Sequence, residues 1–86
     1  MKIKEKYNKL KELLEEEFDN VNFDNLHLTE DGYEGVIEVP CEFTLYCVID
    51  DTECYLTFDS IDFSTNYTVD EIRELCNKIE KISDEF

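Results

Sequence analysis

Residues 36–51, VIEVPCEFTLYCVIDD, decide how this chain is read. Ile37, Val39, Cys41, Phe43, Leu45, Cys47 and Ile49 occupy every second position. Successive side chains of a strand point to opposite faces, so these residues share an inner side while Glu38, Glu42, Thr44, Tyr46 and Val48 share the outer one. The parity continues through Pro40. A proline has no N–H for a ladder, so the stretch is either one long strand bent at an edge or bulge near Pro40, or two strands in sequence.

Working outward, Asp50-Asp51-Thr52-Glu53 forms a turn, after which Cys54, Leu56 and Phe58 return to the inner side. Upstream, Leu26 and Leu28 alternate with His27 before a second turn at Thr29-Glu30-Asp31-Gly32. Val21 and Phe23 have the opposite parity to Leu26 and Leu28, which predicts a break or bulge around Asp24-Asn25. Ile61 and Phe63 are expected in a short fourth strand or a packed loop.

On either side of this region the period changes. Ile3, Tyr7, Leu10, Leu14 and Phe18, widened by Leu13, make an amphipathic helix of residues 2–18. Its lysines (Lys2, Lys4, Lys6, Lys9, Lys11) crowd the first half and Glu12, Glu15, Glu16 and Glu17 the second, opposing the helix macrodipole at both ends. Those lysines are expected to form an ordinary solvated face. Thr68 and Glu71 suit a capping box, Tyr67 and Ile72 a hydrophobic staple, and Val69, Ile72, Leu75, Cys76, Ile79 and Ile82 an apolar face running to about residue 83. The simplest fold is α+β: an N-terminal helix, a three- to four-stranded antiparallel meander and a C-terminal helix, both helices on one face of the sheet.

The 86 residues suit one domain, 1–86, with a single core. No run approaches the roughly 18 apolar residues of a membrane span, and no signal-peptide block follows the first lysines, so a cytoplasmic location is expected. The four cysteines lack C-x-x-C spacing, and His27 is the one histidine beside them. Cys41, Cys47, Cys54 and Cys76 are therefore expected as buried thiols, with no metal or other cofactor. No spacing singles out a nucleophile and base, or a pair of carboxylates, for catalysis. A non-enzymatic protein is the expectation. Asp50, Asp51 and Glu53 lack the ligand order and glycine of a calcium loop.

Charge placement says more. Between Lys11 and Arg73 there are eighteen carboxylates and no lysine or arginine, in a chain of net charge −15. A sheet face selected only for stability mixes in lysine for cross-strand pairing. Here Glu34, Glu38, Glu42, Tyr46, Tyr55 and Asp59 on the outer face, with Asp50, Asp51 and Glu53 at a hairpin tip, are the candidate partner-binding residues. Tyrosine adds apolar area with a hydrogen-bonding tip, as in interface cores. The partner this suits is a basic protein surface, above all one that holds nucleic acid. Nucleic acid itself is repelled by the same field.

In size, charge and element order the chain resembles the small acidic inhibitors encoded by phages and other mobile elements, including anti-CRISPR proteins and DNA mimics. That resemblance implies a cytoplasmic inhibitor acting in the host cell on the basic nucleic-acid site of a nuclease or CRISPR effector; Cas9-type effectors offer PAM-reading arginines and a basic channel. The alternative is an immunity protein or antitoxin that neutralises a cognate basic nuclease toxin. A third reading keeps the acids for solubility alone.

Overall fold

Pro40 and Cys41 divide the central stretch into two strands. The Val39 carbonyl accepts from the Glu42 N–H at 3.0 Å, with Pro40 second in the turn and Cys41 third at φ 65, the arrangement of a type II turn. The computed structural model, which describes residues 2–62 and 66–86, thus has β1 (Leu26–Leu28), β2 (Tyr33–Val39), β3 (Phe43–Ile49) and β4 (Cys54–Ile61). Val39 faces Phe43, Ile37 faces Leu45 and Gly35 faces Cys47 across the hairpin. A loop of three residues, 40–42, gives facing positions the same parity, which is why the alternation passes through Pro40 unbroken. Cys41, expected to point inward, is exposed at the turn.

The sheet is an antiparallel meander in the order β1-β2-β3-β4. Asn22 bridges to Glu38 ahead of β1, and the two segments are separated by the expected break at Asp24-Asn25. β1 lies close against β2 at Gly35, where a Cβ would fall 2.0 Å from the Asn25 carbonyl oxygen. On the other side, Leu45 faces Phe58 but Thr44 faces Ser60, leaving Asp59 as the extra residue of a bulge. Ile61, expected in a further short strand or a loop, instead prolongs the Cys54–Phe58 strand past this bulge as the last residue of β4, while Phe63 lies outside the described residues. Leu28, expected inside with Leu26, is 75% exposed at the end of this short edge strand.

α1 (Ile3–Glu17) and α2 (Val69–Asp84) cover one face. Leu10 and Leu14 from α1 and Leu75, Ile79 and Ile82 from α2 close over Ile37, Val39, Leu45, Cys47 and Ile49. Near one end Tyr7 stacks on Tyr33 at 4.5 Å, and at the other Phe18 meets Phe43 edge-on at 5.1 Å, so α1 runs antiparallel to β3. The Thr68–Glu71 capping box forms in full, and Tyr67 packs against the core. The apolar stripe of α2 is narrower than expected: Val69 is 72% exposed, and Cys76 is also exposed.

Lys2 and Lys4 are exposed, as an ordinary solvated face requires, but Lys6, Lys9 and Lys11 depart from it. Lys6 is buried and its ammonium donates to the Asp50 carbonyl at 2.6 Å, tying the helix to the β3–β4 turn. Lys9 donates to the Glu85 carbonyl at 2.8 Å and sits over the Phe86 ring, and Lys11 sits over Phe23. The snorkelling stems of these residues cover apolar surface.

Candidate functional site

The register builds the outer face row by row. His27, Glu34, Val48 and Tyr55 face one another in turn across the four strands; Val36, Tyr46 and Thr57 form the next row, and Glu38, Thr44 and Ser60 the third. The centre of the face is thus Val36, Tyr46 and Val48, all half-buried, with Tyr55 exposed beside them. Glu34, Glu38 and Asp59 stand around it. The Thr44 hydroxyl donates to Asp59 Oδ2 at 3.1 Å, which fixes that carboxylate on the outer side. The face thus has an apolar and aromatic centre with a charged rim.

Tyr46 shows the local electrostatics. Its phenol is pushed above the ordinary tyrosine range, first by desolvation among its neighbours and then by the nearby Glu34 carboxylate. His27 lies directly opposite Glu34, so the face has an imidazole at its rim and neither lysine nor arginine.

Two of the expected residues have local structural work. Asp50 Oδ1 accepts from the Thr52 N–H (2.9 Å), the Thr52 hydroxyl (2.8 Å) and the Glu53 N–H (2.9 Å), and these bonds hold its carboxyl below the usual carboxylate range. It closes the β3–β4 turn, leaving Asp51 and Glu53 exposed at the tip. Glu42, placed on the outer face by parity, belongs to the turn instead: its Oε1 accepts from the Tyr67 hydroxyl at 2.8 Å. Desolvation and then that carboxylate push the Tyr67 phenol up to about 12. Glu34, Glu38, Tyr46, Tyr55 and Asp59 are brought together; Asp50, Asp51 and Glu53 lie at one end, and Glu42 turns toward the start of α2.

Cation placement completes the picture. Every lysine and arginine lies on a helix or at the α1 N-cap, whereas residues 19–67 hold twelve carboxylates and none of the eight cations. Of the formal charge of −15, the part borne by the sheet and its loops is therefore −12. The helical layer is nearly balanced, with Lys9–Glu85 and Lys78–Glu17 both at 3.9 Å joining its ends.

Cys47 and Cys54 are buried as expected, with their thiols in hydrogen-bond contact; that contact raises Cys47 and lowers Cys54. Among the described residues, no group of three or more His, Cys, Asp or Glu side chains is placed to hold a metal ion, and no helix is long and apolar enough to cross a membrane. No family model, curated protein or solved structure matches the chain.

Proposed function

We propose that this chain is a non-enzymatic inhibitor that docks its outward sheet face onto the basic nucleic-acid-binding surface of a partner protein, a nuclease or CRISPR effector. The observation carrying this reading is the partition of charge: a tyrosine-centred face left open by both helices belongs to the half of the molecule that bears −12. Acids kept for solubility alone need no such separation from the lysines. Nucleic-acid grooves are lined with lysine and arginine spaced for phosphates, and a rigid array of carboxylates can occupy them without being cut or base-paired. Long-range attraction speeds encounter, while burial of Tyr46 and Tyr55 slows dissociation.

The test is capture of partners by tagged protein at low and high salt, followed by competition with duplex DNA. A nucleic-acid-binding protein is expected to be retained at low salt, released at high salt and displaced by DNA. The Glu34→Lys/Glu38→Lys/Asp59→Lys variant is expected to lose it. Equal retention by this variant would overturn the reading.

A further inference from the structure

β4 is an edge strand, with β3 on one side and no strand on the other among the described residues. The phase of the ladder follows from its turn. The Asp50 N–H donates to the Glu53 carbonyl at 3.0 Å, so the bonded pairs recur at Val48–Tyr55 and Tyr46–Thr57. Cys54, Leu56 and Phe58 accordingly direct their N–H and C=O groups away from β3. Edge strands are commonly guarded by lysine, proline or bulges; β4 contains neither of those residues, and its bulge comes only at Asp59.

Beneath the same edge, α2 stands off far enough to leave an open groove of about 390 Å³ whose walls include Leu56, Phe58, Cys76, Ile79, Glu80 and Ser83. This is why Cys76 is exposed although it follows the apolar spacing of its helix. The edge therefore offers three things at once: outward backbone groups, an apolar groove on the inner side, and the carboxylates Glu53, Asp59 and Glu80 along the rims.

We infer that this edge receives an extended, lysine- or arginine-bearing segment of a basic partner protein as a fifth strand. The inference rests on the binding reading above and gives that binding a geometry. Side chains of an added strand alternate, so one set lies beside Glu53, Tyr55 and Asp59 on the outer face and the other over the groove. The segment that fits alternates basic with apolar residues, and its main chain supplies the pairing. A second copy of this chain fits poorly: antiparallel pairing centred on Leu56 sets Glu53 of each copy against Asp59 of the other, between chains of −15 each.

The probe is a synthetic peptide of alternating lysine and valine, with a second peptide N-methylated on the edge that would pair. At saturating lysine–valine peptide, amide exchange at Cys54, Leu56 and Phe58, followed by NMR, is expected to slow about tenfold or more. The N-methylated peptide should leave it unchanged, and Glu53→Lys/Glu80→Lys should weaken binding several-fold. Unchanged exchange, equal protection by the methylated peptide, or concentration-dependent protection without peptide would overturn the proposal. Loss of captured partner on mutation of Glu34, Glu38 and Asp59, with these amides unprotected in the complex, would sink the edge while leaving the proposed function standing.

Discussion

Asp50 illustrates how a side chain's chemistry is set by its turn. Three donors from Thr52 and Glu53 stabilise its ionised form, so its folded pKa lies below the unfolded value. The stability it contributes is complete above the ordinary carboxylate range, about 3.9, and is lost as pH falls through the lower folded value. Asp50→Asn keeps an oxygen to accept those bonds but no longer titrates. Its melting temperature should therefore fall less steeply than that of the native chain between about pH 5 and pH 2, measured by circular dichroism. Cys41 gives a second prediction. A non-glycine residue at φ 65 costs on the order of 1 kcal/mol, and its side chain is exposed. Cys41→Gly should raise the urea midpoint, with a gain of up to about 1 kcal/mol after the greater chain entropy of glycine is counted.

At the scale of elements, α1 breaks the dipole rule that α2 follows. Its last turn has no basic residue, whereas α2 has Asp70 and Glu71 at its start and Lys81 at its end. Glu16→Lys supplies a cation to that turn and an i,i+4 partner for Glu12; stability should rise by about 0.3–1 kcal/mol at low ionic strength, read from denaturant unfolding. Strand alternation makes the inner set Ile37, Val39, Phe43, Leu45, Cys47 and Ile49 legible in the sequence, and the capping box marks the start of α2. Parity could not separate a bent strand from a hairpin, because an odd-length loop returns the chain in the same phase. It also misplaced Cys41 and Glu42, which belong to the turn rather than to either strand. Of the candidate face, Glu34, Glu38, Tyr46, Tyr55 and Asp59 were readable from alternation. The diversion of Glu42 to Tyr67 and the burial of Lys6 were not, since both are contacts between residues distant in sequence. His27 opposite Glu34 depends on the β1–β2 register, which local composition does not carry.

For the molecule as a whole, the excess of like charge opposes compaction. Self-repulsion is screened by salt, with a Debye length shrinking from about 30 Å at 0.01 M to about 8 Å at 0.15 M. The urea midpoint should therefore rise with sodium chloride over that range, in contrast to a protein held by surface ion pairs. A second consequence follows from the separation of a nearly balanced helical layer from a sheet half of −12. Such a particle has a strong electrical polarity. On a quaternary-amine resin or a cationic film it should adsorb one way up, strands against the support, with both helices left facing the liquid and open to a protease.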